Sequence, residues 1–136
     1  MAGEFSGSAL YATFVHAGGT VVLNTDFRTA NYTPTLEKID ATAGADAYRQ
    51  TLASFANAQF NFSGIFPSTG TAMMTGLKEG TTGTITYAAA GTATGMPKIT
   101  FPAISNGASY NQPYNDIVEI SCSWDVYNGT VTYTVY

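Results

Sequence analysis

The sequence predicts a mainly β protein: an antiparallel β-sandwich or partial barrel with one short flanking α-helix over residues 45–55. Three observations support this fold class. Several segments alternate apolar with polar side chains, which is the period of a strand with one buried face. Gly, Pro and Asn separate these segments, as turn residues do. The 136 residues, 45% of them hydrophobic, suit one core, so we treat residues 1–136 as a single domain.

The N-terminal elements are short. Residues 1–8 are small and polar and should form a flexible segment. Apolar runs at 10–15 and 20–23 predict two strands, joined over the glycine pair at 18–19. No basic and apolar leader and no long apolar run is present, so we expect no membrane anchor and assembly in a cytoplasm.

A polar stretch follows at residues 24–34 and contains a Thr33–Pro34 break. We predict an exposed loop there, whose deletion over 24–33 should leave the fold intact. Residues 35–39 have strand character.

The predicted helix depends on the spacing of three apolar residues. Tyr48, Leu52 and Phe55 lie at i, i+4 and i+7, so they share one face of a helix. Asp46 in its first turn suits the helix dipole. Such a short helix is marginal alone, so it should pack on a sheet.

The middle of the chain alternates again. Phe60 and Phe62 alternate with polar residues and predict a strand after the helix. Residues 71–77 fit either a short strand or a helical turn. Further strands are predicted at 84–87 and 98–101.

The C-terminal third shows the longest alternation. Apolar residues from Val118 to Val126 alternate with Glu119, Ser121, Ser123 and Asp125. Asn128–Gly129 then predicts a type I′ turn, and residues 130–136 return as the second strand of a hairpin.

Composition excludes several classes of protein. Charged residues are 10% of the chain, against about 25% in typical soluble proteins. A net charge of −4 argues against specific nucleic-acid binding, which needs clustered Lys and Arg. One Cys and one His leave no set of Cys or His metal ligands. We therefore expect no cofactor and no metal. A lightly charged polar surface suits burial against further copies, because hydroxyls and amides cost less to bury than charges.

Catalytic candidates are few. His16 lies beside a glycine turn with no matching Ser and Asp, and Cys122 falls on the inward side of its strand, where a thiol is inert. The carboxylates are scattered, so no acid pair is evident. We predict that the protein is not an enzyme. The tyrosines allow three readings, as ordinary strand residues, as a subunit contact or as a sugar-stacking platform; they are Tyr110, Tyr114, Tyr127, Tyr133 and Tyr136.

The order of features from Leu36 onward resembles the tail tube proteins of long-tailed bacteriophages. A strand ending in Ile39-Asp40-Ala41-Thr42 precedes the segment with Asp46 and Arg49. The strand Phe60-Asn-Phe62-Ser-Gly64, a Gly/Thr-rich middle and the strand Ile99-Thr-Phe101 follow. Tyr114-Asn-Asp116-Ile117-Val118 then enters the long strand Glu119–Trp124.

The resemblance implies a subunit that forms hexameric rings, which stack into a tube that passes DNA during ejection. It implies that sheets of neighbouring copies join around the channel, in a virion tail with other tail proteins as partners. On this reading the candidate lumen residues are Glu119, Ser121, Ser123 and Asp125, and the candidate inter-ring loop residues are Asp26, Arg28 and Asn31. Passing DNA should not be bound specifically, because an acidic wall does not attract it.

Two alternatives remain. One is another virion structural protein, either a capsid decoration or a tail-end subunit. The other is a sugar-binding β-sandwich module that uses the tyrosines named above.

Overall fold

The computed structural model describes residues 6–25, 27–67 and 70–136. These residues form a 3-10 turn at Gly7–Ala9, eight strands and one short helix. In chain order the elements are β1 (Tyr11–His16), β2 (Gly19–Val22), β3 (Phe27–Asp40), β4 (Thr51–Ile65), α1 (Thr71–Gly76), β5 (Thr82–Ala88), β6 (Pro97–Asn111), β7 (Glu119–Val126) and β8 (Thr132–Val135).

The strands form one antiparallel sheet in the order β2-β1-β5-β6-β7-β4-β3, with β8 paired to β6. The sheet curls over itself without closing. The ring of Tyr32 on the terminal strand β3 lies 5.9 Å from Phe101 on β6 and 6.5 Å from Tyr87 on β5. This architecture confirms the prediction of a mainly β, partly closed antiparallel fold with one short helix.

The core fills the inside of the curl. Trp124 on β7 is fully buried, with its ring 5.5 Å from Phe14 on β1 and 5.7 Å from Phe60 on β4. Burial of each such side chain contributes about 1.5–3 kcal/mol. Because alternate residues of each strand point inward, the other face of the sheet is left to polar residues.

The helix is not where the sequence predicted it. Residues 45–50 are irregular, with a turn at 44–45 and a bend at 47–48, and β4 begins at Thr51, so the prediction of a helix over 45–55 is wrong. Tyr48, Leu52 and Phe55 are exposed. A short helix must bury its apolar face to be stable, whereas pairing with the 14-residue β3 satisfies the backbone from Thr51 onward.

The observed helix, α1, covers one end of the core. It buries Met73, the following Leu77 is fully buried, and α1 packs against β2. Gly76 permits this close approach, because a Cβ there would collide with the side chain of Val21. The ambiguous segment at 71–77 is thus a helical turn.

The predicted C-terminal hairpin is also wrong. β8 pairs with Pro97–Thr100 of β6, whereas β7 pairs with Ala103–Asn111 of the same strand. The two strands therefore follow one another along β6. Between them the backbone N–H of Tyr127 donates to the carbonyl oxygen of Pro102 at 2.9 Å. β6 is longer than β7 and offers β8 a free edge, which a reversal at Asn128 would have left unpaired.

The loop predicted at 24–34 is a strand from Phe27 onward, although most of it is exposed. Pro34 is compatible with β3 because this strand is at the edge of the sheet, where a missing N–H costs no ladder bond. A deletion of residues 24–33 would therefore remove half of β3 rather than a loop. Flexibility of residues 1–8 stays a prediction: residues 1–5 lie outside the described residues, and Ser6 Oγ accepts from the N–H of Ser8 at 3.2 Å.

Candidate assembly surfaces

A polar face covers the outer side of four strands, β3, β4, β7 and the second half of β6. The pairing register aligns its side chains in cross-strand rows. One row is Thr29, Ser63, Ser121 and Ser109; the next is Asn31, Asn61 and Ser123; and a third is Thr33, Gln59 and Asp125. A cavity of about 410 Å³ lies at the centre of the face.

The predicted lumen residues lie on this polar face. Glu119, Ser121, Ser123 and Asp125 alternate along β7 with fully or largely buried apolar residues. The amide nitrogen of Asn106 donates to Ser123 Oγ at 3.2 Å and to Asp125 Oδ2 at 3.0 Å. These bonds order the face and offset part of the negative charge of the carboxylate.

The predicted inter-ring residues are not in a separate loop. Arg28 and Asn31 lie in β3, at the same polar face, and Asp26 is outside the described residues. Arg28 Nη1 donates to Glu119 Oε1 at 2.6 Å, which pairs the positive charge with one of the two acids. Residues assigned from sequence to two different surfaces thus meet on one.

The four-stranded part of the sheet that carries the polar face has two free edges. Among the strands of the described residues, β3 pairs with β4 alone, so its outer edge carries no described partner. At the other side β5 pairs with β6 only as far as Ile104, and no strand in the described parts of the chain pairs with that side of β6 from Gly107 to Asn111. Unpaired edges of this kind are templates for pairing with another chain.

The end of the β3–β4 hairpin projects from the sheet as an arm, defined here as residues 35–57. Nearly all of its residues are exposed, including Leu36, Ile39 and Leu52. Its turn is nevertheless ordered by hydrogen bonds. Ala41 N–H donates to the carbonyl of Gln50 at 2.9 Å, and the hydroxyl and N–H of Thr42 donate to Asp40, which lowers the pKa of that carboxyl.

An apolar groove of about 550 Å³ opens at the base of the arm. β3 and β4 supply one wall, with Tyr32, Leu36 and Ala58 among its residues. The segment between β7 and β8 supplies the other wall, including Thr130 and Val131. None of the residues that line the groove is charged.

The side chains that could be chemically reactive are either buried or held by hydrogen bonds. Burial raises the pKa of the Cys122 thiol to about 11, so the thiol is protonated at neutral pH. His16 Nδ1 accepts from the N–H of Gly18 at 3.1 Å. In the ranges that the structure describes, no three His, Cys, Asp or Glu residues lie close enough together to hold a metal ion.

The tyrosines do not form one platform. Tyr133 pairs opposite Ile99, whereas Tyr110 lies eleven residues further along β6, roughly 35 Å away in an extended strand. Tyr133 shares a hydroxyl–hydroxyl bond of 2.6 Å with Tyr32, and burial, followed by this bond, raises the pKa of Tyr32. Tyr110 instead packs edge-on against Phe66 at 5.3 Å. The five tyrosines therefore do not converge on the single platform that the sugar-binding alternative requires.

Sequence reasoning missed the arm and the free edge of β6. The run Thr29–Thr35 alternates Thr and Asn with Ala30, Tyr32 and Pro34, a strand signal that the proline obscured. Only pairing partners reveal a free edge, so no sequence signal could have shown it.

No protein-family model matches the sequence, and comparison with curated proteins finds no match. Among the described residues, no helix is long and apolar enough to cross a membrane.

Solved structures do share the fold. A chain in the tail of an empty GTA particle, solved with helical refinement and C6 symmetry, superposes with a TM-score of 0.75 at 13% identity, covering 97% of this chain and 100% of that chain. A chain of the SPP1 tail tube gives 0.70 at 10% identity and covers 98% and 81%. A chain of the 6-fold symmetrised anti-feeding prophage baseplate gives 0.70 at 10% identity and covers 97% of each.

The fold is therefore that of subunits from tail, tail-tube and baseplate assemblies, and it extends over nearly the whole chain. The resemblance to tail tube proteins drawn from the sequence is confirmed at the level of the fold.

Proposed function

We propose that this protein is the structural subunit of a phage tail tube, in which six copies form a ring and rings stack into a conduit for DNA ejection. One observation carries the proposal: a sheet with a polar outer face ends in two edges that no described strand pairs, in a fold shared with tail-tube subunits. The role is structural rather than enzymatic, it requires no cofactor, and the partners are further copies and other tail proteins.

In the proposed ring, the open edge of β3 pairs with the free stretch Gly107–Asn111 of the next copy. Each copy then adds four strands to a shared inner wall, and edges that are a hazard in a monomer become closed. The polar faces point into the channel, because the opposite face of the same strands is the core.

The electrostatics of the polar face suit a conduit. On β7 the face carries the acids Glu119 and Asp125, Arg28 is paired with Glu119, and its remaining side chains in the rows above are hydroxyls and amides. A wall with little positive charge has no counter-charge to hold phosphates, so DNA slides without specific binding. We place the protein in the virion tail, after assembly in the host cytoplasm.

Sedimentation and negative-stain electron microscopy of the purified protein test this proposal. We expect rings or tubes with six-fold symmetry as the protein concentration rises, alone or with tail initiation components. Monomers that persist at high concentration under both conditions would refute the assembly function.

The likeness to a baseplate chain supports a second candidate, a tail-end subunit. Such a subunit would form a closed ring that never stacks. Rings without tubes at every concentration, and with initiation components present, would favour this candidate over the tube.

A further inference from the structure

The chain contains two Asn-Gly pairs, Asn106–Gly107 and Asn128–Gly129. Asparagine is a chemically labile residue, and it is most labile before glycine, where no side chain hinders attack of the next backbone nitrogen on the amide carbon. Both asparagines are exposed. Sequence and exposure therefore give the two pairs similar reactivity, and a difference between them must come from the fold.

The fold holds the first pair at both reacting ends. The side-chain amide of Asn106 donates to Ser123 Oγ at 3.2 Å and to Asp125 Oδ2 at 3.0 Å. The N–H of Gly107 donates at 3.1 Å to the hydroxyl of Ser105, which is buried. Attack of the Gly107 nitrogen on the Asn106 amide would break these bonds, so this pair is protected in the native protein.

The second pair is free at both reacting ends. Among the described residues, no hydrogen bond holds the side chain of Asn128 or the N–H of Gly129. The segment is tethered on one side by the N–H of Tyr127, which donates to Pro102, and on the other by Thr132, the first residue of β8. Between these tethers, the backbone rotation that brings the Gly129 nitrogen to the Asn128 amide breaks no hydrogen bond.

We propose that Asn128 is a site of spontaneous deamidation in the native protein, whereas Asn106 reacts only after unfolding. The backbone nitrogen of Gly129 loses its proton to hydroxide and attacks Cγ of Asn128. The new N–C bond closes a cyclic imide, the C–N bond of the side-chain amide breaks, and its nitrogen leaves as ammonia. Water then opens the imide at either carbonyl and gives aspartate or isoaspartate, with no oxidant, reductant or enzyme. This inference does not depend on the proposed function.

Both products change the surface beside β8. Each adds a negative charge next to Gly129 and Thr130, which line the uncharged apolar groove. Isoaspartate also lengthens the backbone by one carbon between the Tyr127 tether and β8. It should therefore loosen the pairing of β8 with β6. Aspartate should preserve this pairing, because Asp tolerates a positive φ as Asn128 does.

Protection of Asn106 preserves the charge of the polar face. Deamidation at this residue would replace a donor 3.0 Å from Asp125 Oδ2 by a second carboxylate, and like charges at this distance repel. The hydrogen bonds that order the polar face thus also slow the reaction that would disrupt it.

Ageing followed by peptide mapping tests the site, and each Asn-Gly pair is the control for the other. The protein is incubated at pH 8, native and in urea, and mass spectrometry follows the exchange of NH2 for OH in each peptide. In urea the two pairs should react at rates within about threefold of each other. In the native protein Asn128 should react at least about tenfold faster than Asn106, since only Asn106 must first lose its hydrogen bonds.

Equal native rates at the two pairs, or a faster reaction at Asn106, would overturn the assignment. A native protein in which neither pair reacts, while both react in urea, would also overturn it. That result would mean that the fold holds Asn128 as firmly as Asn106.

A variant tests the cause of the protection. Ser123→Ala with Asp125→Ala removes both acceptors of the Asn106 amide on the outer face of β7, so the core is unchanged. In the native state Asn106 should then react at least about threefold faster, while the rate at Asn128 stays the same. An unchanged Asn106 rate in this variant would overturn the role of these hydrogen bonds.

Asn128→Asp separates the added charge from the lengthened backbone. This variant should unfold at the same urea concentration as fresh wild-type protein, whereas aged protein enriched in isoaspartate should unfold at a lower one. Aged protein as stable as fresh protein would contradict the loosening of β8.

Discussion

At the scale of single residues, Trp124 is the centre of the core. It contacts aromatic rings on β1 and β4, and its Nε1–H has no hydrogen-bond partner among the described residues. Trp124→Ala should lower the free energy of unfolding by about 3–5 kcal/mol, because it leaves a cavity. Trp124→Phe keeps most of the volume and removes the unpaired donor, so it should cost less than about 2 kcal/mol.

Urea unfolding followed by far-ultraviolet circular dichroism measures both variants, since the chain has one Trp and fluorescence would be lost. Equal losses for Ala and Phe would contradict the account of the core.

Cys122 makes a second prediction at this scale. Burial raises its pKa from 9.0 to about 11, so below pH 9 the native protein holds about 100-fold less thiolate than the unfolded chain. Alkylation by iodoacetamide at pH 8 should therefore be at least about 100-fold slower in the native protein than in urea, as measured by mass spectrometry.

The same shift has a consequence for stability. The thiol stays protonated in the native state up to a higher pH than in the unfolded chain. The contribution of the protonated thiol to the free energy of unfolding is therefore complete below pH 9 and is lost as pH rises toward 11. If iodoacetamide alkylated the native protein as fast as the protein in urea, the thiol would be accessible and ionised, which would contradict this account of Cys122.

At the scale of elements, the break between β7 and β8 shows how a turn signal can be misread. Asn128 has a φ of 52°, as a turn residue does, yet the chain continues along β6 instead of reversing. Gly129 is required not for turn geometry but for packing, because its backbone lies directly against the ring of Pro102. A Cβ at 129 would lie 2.5 Å from Pro102 Cγ.

Gly129→Ala should therefore lower the free energy of unfolding by about 1–3 kcal/mol through overpacking. Asn128→Gly is the matched control and should change it by less than about 1 kcal/mol, since glycine accepts the positive φ. Chemical denaturation measures both. An Ala variant as stable as wild type would mean that Pro102 yields without cost.

The β3–β4 hairpin shows the same ambiguity on a larger scale. The i, i+4, i+7 spacing of Tyr48, Leu52 and Phe55 satisfies a helix template, but it spans a turn and a strand. Periodicity reports where apolar side chains recur and not what covers them. In this arm the described chain covers none of the three side chains, so there is no core against which an amphipathic helix could pack.

At the scale of the whole molecule, the low positive charge of the polar face is the property that should let DNA pass without being bound. If it lines a channel, added lysines there should capture DNA. Asn31→Lys with Ser121→Lys should still assemble, and its tubes should co-sediment with DNA in a manner that falls steeply with salt. Thr20→Lys, at an exposed position on β2, is the matched control and should not retain DNA.

Equal DNA retention by the control and the double variant would contradict the placement of this face in the lumen. Retention by the wild type would contradict a conduit without specific binding.

The sequence by itself determined the β class, the alternating core along β4 and β7, the polar composition of one face of β7 and the low charge. These are local properties, because a strand's two faces are set by its own alternation. Only the tertiary structure decided that Arg28 meets Glu119, that residues 35–57 form an arm and that β8 runs beside β6. Such features depend on which strands satisfy each other's backbone hydrogen bonds, a competition between distant segments that no local pattern records.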